Sequence, residues 1–508
     1  MTPPDRPDPY ALPPDAIREP PRSLFRALGQ IGPGLILAGS IVGTGELIAT
    51  TGLGAEHGYA LLWLILFSCV IKVFIQTELG RYAITHGKTT LAALHTLPGP
   101  RLGTNWLSWL WLAMMLFTQA QIAAMEGLVG QAAHMAFPGA APKVAAWAAR
   151  LDPRWGPFLE AHPEHFWASL TCLAAIALLL SGGYKRLEHV TTAMVAVVTL
   201  MTVACVVGLH WTRFPVDWVG LRRGLNVSLP TAGVALAFTT FGITGVGASE
   251  LFAYPYWCIE KGYARAAGPR SADEGWARRA RGWMRVMQLD AWASMVVFTL
   301  ATVAFYILGA AVLHPQGLRP QGPGMLRTLS DMYVRPIGQW TAPVFLVGAW
   351  AVLFKTLYVA TAANSRLTAD FLDLAGVWKQ SDPKARDRTI RAFCVVYPLL
   401  ALGVYFLLRD PKSLVQIGGY AQGLMLPLIA GAILYLARRD ADRRVMATFL
   451  GDIFTWLAFF TIGIVSIYSV RTGLKDLAST YLAPRPTTSS APAAGAGVDR
   501  NPEGPRTP

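Results

Sequence analysis

Two stretches decide the fold: Gly32-Pro-Gly-Leu-Ile-Leu-Ala-Gly-Ser-Ile-Val-Gly-Thr-Gly-Glu-Leu47 and Phe241-Gly-Ile-Thr-Gly-Val-Gly-Ala-Ser-Glu-Leu251. Each carries a Val-Gly-x-x-Glu-Leu string, once at Val42-Gly43-Thr44-Gly45-Glu46-Leu47 and once at Val246-Gly247-Ala248-Ser249-Glu250-Leu251. Both strings sit in the middle of long apolar runs. A glycine inside a helix costs about 1 kcal/mol relative to alanine, and a carboxylate at mid-membrane costs several more. Close packing through small residues accounts for the glycines alone but not for the paired glutamates. Two Gly-interrupted spans at matching positions, five spans apart, mark an inverted repeat whose unwound backbone and half-helix ends face a solute or ion at the bilayer midplane.

The rest of the chain supplies the membrane spans. The 508 residues are 53% hydrophobic and only 15% charged, against about 25% charged in a soluble domain, and mean hydropathy is +0.39. With roughly 20 apolar residues needed per crossing, about eleven spans emerge. They lie near 33–56, 60–82, 106–135, 166–182, 190–210, 231–258, 288–313, 341–363, 391–408, 414–437 and 451–472. The expected fold class is therefore an all-α polytopic membrane protein with a five-plus-five inverted repeat, helices 1 and 6 unwinding mid-membrane. Residues 31–228 would form the first repeat, 229–440 the second, and 441–475 an added eleventh helix. A tail over 1–30 with a short juxtamembrane helix and a tail over 476–508 are polar, rich in Pro or small residues, and expected to be disordered.

Lys and Arg fix the expected orientation. With the N-terminus cytoplasmic, the inner loops collect Arg81, Lys88, Lys185, Arg186, the set from Lys261 to Arg285, Arg366 to Arg391 and Arg438 to Arg444. An odd number of spans then puts the C-terminus outside, in a cell (inner) membrane. The net charge of +14 follows from these loops facing anionic lipid, so the expected partners are the bilayer and a small solute or metal ion, with no nucleic acid. Five cysteines fall within spans and show no CxxC pairing, which argues against a disulfide framework or a zinc site. The Arg278–Arg285 stretch, with Trp276 and Trp283, reads as an interfacial amphipathic helix. No Walker-type phosphate loop, HExxH or Ser-His-Asp spacing is present, so nothing points to an enzyme or to a bound cofactor.

With these strings in hand, the chain resembles the NRAMP family of divalent-metal transporters, which adopt the LeuT-type inverted-repeat fold. The resemblance covers roughly residues 30–475. It is strongest at Gly32-Pro-Gly34, at Gly58-Tyr-Ala-Leu-Leu-Trp63 running on to Gln76, Leu79-Gly80 and Gly87-Lys88, and at Gly183-Tyr-Lys-Arg-Leu-Glu188; Pro427, Gln416 and Gln422 resemble the family's tenth span. The site departs from the family. Where NRAMP transporters carry Asp-Pro-Gly-Asn, this chain has Gly43-Thr44-Gly45-Glu46, and where they carry Met-Pro-His it has Gly247-Ala248-Ser249. The acidic pair of span 3, linked in the family to proton movement, appears as Gln121 and Ala124.

Methionine sulfur is a soft ligand that selects transition metals, so its loss leaves a hard oxygen site suited to Mg²⁺ or Mn²⁺. The expected ligands are Glu46 and Glu250, with Gly43, Thr44, Gly247 and Ser249 at the two breaks. Lys72 and Lys355 lie mid-span and call for a carboxylate partner or a solute anion; paired with Glu46 and Glu250, they would take the place of a metal. Glu126 is a further acid on the ion path or in a pair. Asp290 and Glu78 are expected to pair with Arg285 and Arg81. The implied function is a secondary transporter moving Mg²⁺ or Mn²⁺ by alternating access without the family's proton coupling. The alternatives are a carrier of the same fold for a small zwitterion or amine, and a non-transporting membrane protein that kept the fold.

Overall fold

The computed structural model describes residues 16–481 apart from 44, 182–183, 229–232, 379–382 and 441. Thr44, Gly183 and most of both predicted tails lie outside the described residues. Nine helices among the described residues are long and apolar enough to cross a membrane. They are spans 2 (Leu62–His86), 3 (Trp106–Ala136), 4 (Pro163–Ser181), 6 (Val234–Lys261), 7 (from Glu274), 8 (Thr341–Leu374), 9 (Pro383–Leu408), 10 (Pro411–Arg439) and 11 (from Phe449). Span 5 is Tyr184–Gly208. Span 1 is in pieces: Pro33–Ile41, a π-helical turn Gly45–Thr50, and Thr51–His57. Among the described residues the strand pairing is a two-residue antiparallel one, Arg101–Leu102 with Thr104–Asn105.

Local chemistry sets the ends of these helices. Asn105, Asp273 and Asp410 cap spans 3, 7 and 10 with side-chain oxygens accepting from Leu107, Trp276 and Ser413 N–H groups, which satisfies donors left free at a helix start. Gly87 (φ 64°) and Gly262 (φ 94°) end spans 2 and 6 in the left-handed region that glycine enters without steric cost. Span 1 begins differently. Its Gly-Pro-Gly start is capped from another helix: the Asp290 carboxylate of span 7 accepts from Gly32 N–H at 3.1 Å and Gly34 N–H at 2.5 Å. A Cβ on Gly34 would sit 2.7 Å from the Asp290 carbonyl oxygen, so the motif is the imprint of that close crossing.

Four expectations need correction. Asp290 serves span 1, where a pair with Arg285 was expected; Glu78 does pair with Arg81, at 3.1 Å. The Arg278–Arg285 stretch is not a separate interfacial helix. It is the first part of the 35-residue helix Glu274–Leu308, and Trp276 and Trp283 are buried against protein, donating to the Gly268 and Arg18 carbonyls. The last helix continues to Tyr481, past the expected tail boundary. Span 9 starts at Pro383, because the basic run Lys384 to Arg391 carries on the helix beyond its apolar part. The five cysteines are all free and buried.

Candidate functional site

Spans 1 and 6 both break where their glycine strings fall. In span 1 the helix stops at Ile41, Val42 leaves helical geometry (ψ 77°), and helical structure resumes at Gly45. In span 6 it stops at Ile243 and resumes at Ala248. Gly245 turns the chain with φ 67°, a conformation costly for any residue with a Cβ.

A cavity of about 50 Å³ lies against both breaks. Its polar walls come from Thr118 and Gln121 of span 3, Ser249 and Glu250 of span 6, Thr356 and Asn364 of span 8, and Gln422 of span 10. A chain of hydrogen bonds joins three of these spans: Gln422 Nε2 donates to Gln121 Oε1 at 2.9 Å, and Gln422 Oε1 accepts from Ser249 N–H at 3.1 Å. Gly247 leaves the space between Gln422 and Glu250 open; a Cβ there would come within 2.5 Å of Gln422 Oε1 and 2.6 Å of Glu250 Oε2. Trp257 and Val359 line this cavity and also a larger one, of about 520 Å³, that runs on to Lys261, Arg366 and Arg391. The two cavities therefore share a wall on the side of these basic residues. Arg366 lies over the Trp257 ring at 5.5 Å and pairs with Glu260 at 2.9 Å.

The two glutamates are not a pair facing one gap. Glu250 lines the cavity, whereas Glu46 is fully buried behind it. Glu46 Oε1 accepts from Gly245 N–H at 3.4 Å and from the Thr302 hydroxyl at 3.2 Å, and Oε2 accepts from Gly43 N–H at 3.5 Å. Glu46 thus ties both breaks to span 7. Gly43 packs against the Thr356 side chain. Lys72 has carbonyl partners where a carboxylate was expected: its ammonium donates to the Phe241 and Thr244 oxygens. Among the described residues no carboxylate stands within ion-pair distance of it. Lys355 is buried and lies over Gly39, whose missing side chain makes room for the ammonium. Glu126 does not reach the cavity. It is buried between spans 3 and 4 with the Cys172 thiol beside it.

Several lining residues escaped the sequence reading. Asn364 was visible as a polar residue in an apolar span. Met125 carried no such signal, because a methionine mid-helix reads as core; it nevertheless lines the cavity.

A helical membrane protein with its first and sixth spans broken around a buried polar cavity has the LeuT-type five-plus-five architecture of secondary transporters. The chain belongs to the natural resistance-associated macrophage protein-like (Nramp) family, whose sequence profile matches residues 34–472. It is 24% identical over 425 residues to the divalent metal cation transporter MntH of Acidiphilium cryptum, covering 81% of this chain and 82% of that one. It is 23% identical to the MntH of Deinococcus radiodurans over 446 residues, 87% and 88% of the two chains. Its fold is similar to a solved structure of the Eremococcus coleocola manganese transporter bound to an aromatic bis-isothiourea compound. The TM-score is 0.60 at 15% identity, over 93% of this chain and 91% of that one.

Proposed function

We propose that the chain carries a divalent cation across the membrane by alternating access, with Mn²⁺ ahead of Mg²⁺ as cargo and Glu250 as the ligand acid. The observation that supports this best is the size and lining of the cavity. About 50 Å³ accommodates a few water-sized ligands, far below the roughly 300 Å³ or more of pockets for organic ligands. The lining is one carboxylate with amide and hydroxyl oxygens, the donor set of a hard cation. Mn²⁺ is placed ahead because Mg²⁺ sheds its water reluctantly. The names of the curated relatives point to the same class of cargo. A zwitterion or amine is the second reading.

Proton cotransport by the family's route is not expected. Span 3 presents Gln121 and Ala124, span 6 presents Ser249, and none of these carries a proton at physiological pH. Reconstitution into liposomes with a metal-quenched dye and a pH dye tests both points. The expected result is Mn²⁺ entry without stoichiometric acidification, abolished by Glu250→Gln. No entry of Mn²⁺ or Mg²⁺, or entry indifferent to Glu250→Gln, overturns the cargo reading; substrate-driven acidification overturns the uncoupled one.

A further inference from the structure

The break in span 6 leaves a donor and an acceptor without their helical partners. In an unbroken helix the Phe241 carbonyl would accept from Gly245 N–H. Here that N–H is turned to Glu46 Oε1 at 3.4 Å, and the Phe241 oxygen accepts from Lys72 Nζ and, at 3.2 Å, from Ser68 Oγ. The Thr244 oxygen is shared in the same way, with Lys72 Nζ at 2.8 Å and Ser68 Oγ at 3.0 Å. The Phe241 ring lies 4.6 Å from the ammonium. Lys72 and Ser68 are both fully buried. The helix Val234–Ile243 ends here, so its C-terminal partial negative charge is directed at this point.

Two carbonyl oxygens, an aromatic face and a helix C-terminus make a site for a monovalent cation of ammonium size. We propose that the break of span 6 is such a cation site and that Lys72 is its permanently tethered occupant. Glu46 holds the free donor of the broken turn and Lys72 holds the free acceptors. The two opposite charges are thereby joined through the backbone of Phe241 to Gly245, with no direct contact needed. The native protein has no vacancy for a dissolved co-ion at this place. Deleting the ammonium should create one.

Thermal unfolding of purified protein in detergent tests this without involving the cargo. Melting temperatures are compared in methylammonium chloride and tetramethylammonium chloride at equal ionic strength. The methyl-capped ion is too large for the site and lacks an N–H donor. Wild type should melt at the same temperature in both. Lys72→Met should melt lower than wild type and recover at least half of the loss in methylammonium only. Should Lys72→Met fail to accumulate as folded protein, Lys72→Ser gives the same comparison, since its short side chain stops short of the carbonyls and carries no charge. The proposal is overturned if neither variant gains from methylammonium relative to tetramethylammonium, or if wild type gains as much as the variants.

Discussion

Glu46 and Glu250 occupy equivalent places in the two Val-Gly-x-x-Glu-Leu strings, yet their surroundings give them different work. Glu46 is enclosed and accepts from two backbone N–H groups and the Thr302 hydroxyl. Replacing it by glutamine turns one acceptor oxygen into a donor aimed at other donors, which costs about 1–3 kcal/mol for each buried group left unsatisfied. Glu46→Gln should therefore lower the melting temperature, while metal affinity in the protein that remains folded changes little. Glu250 lines the cavity and is only partly buried. Glu250→Gln should leave the melting temperature near wild type and weaken Mn²⁺ binding by at least tenfold, about 1.4 kcal/mol. Titration calorimetry beside a melting curve separates the two outcomes, and reversed phenotypes would mean that the roles are exchanged. Gly247→Ala belongs with Glu250→Gln: its methyl group would press on Gln422 and Glu250, so the variant should bind metal more weakly and melt close to wild type.

Spans 1 and 7 cross so closely that backbone meets backbone at two levels. At one level Asp290 caps Gly32 and Gly34. At the other, a Cβ on Gly54 would stand 3.0 Å from Ala310 N, and one on Gly309 3.2 Å from Ala55 N. The π-helical turns Gly45–Thr50 and Gly309–Leu313 flank the second contact; such turns are concentrated at functional sites. This contact is expected to seal that side of the bundle. Gly309→Ala should wedge it apart, and labelling of a cysteine placed at Thr51 by a water-soluble maleimide should rise severalfold relative to the same cysteine in the parent. Unchanged labelling would show that the contact does not seal that side.

At this level the sequence was informative in an uneven way. Glycine strings in apolar runs gave both breaks, because few other physical reasons put Gly and Glu together in a membrane helix. The basic extensions of spans 7 and 9 were misread because hydropathy ends where the bilayer ends while the helix goes on. The partners of Asp290, Lys72 and Glu46 could not be read at all. Each bonds to backbone groups about 170 to 260 positions away, and backbone acceptors leave no trace in side-chain identity. Lysines in apolar spans signalled only that a partner must exist.

On the scale of the whole molecule, Trp257 and Val359 form a wall common to the polar cavity of about 50 Å³ and a larger one bordered by Lys261, Arg366 and Arg391, while the Gly54–Gly309 contact packs spans 1 and 7 together. Arg366 and Glu260 pair beside Trp257, on that common wall. Truncating Arg366 to alanine removes a cation close to the path of a cation, so Mn²⁺ release toward that face should quicken, seen as a higher turnover in exchange assays with little change in equilibrium affinity. A fall in turnover would assign Arg366 to the transport step itself.

The central claim is that the cargo is a divalent ion held at Glu250 and not between the two glutamates. Anomalous scattering from crystals soaked in Mn²⁺ tests it most directly. The account predicts one peak in the cavity beside Glu250 and Gln422, with oxygen ligands at roughly the 2.0–2.6 Å of hard-cation coordination, absent from Glu250→Gln crystals and leaving Glu46 on its two N–H donors. A cavity without a peak at millimolar Mn²⁺, or a peak coordinated by Glu46, would contradict it.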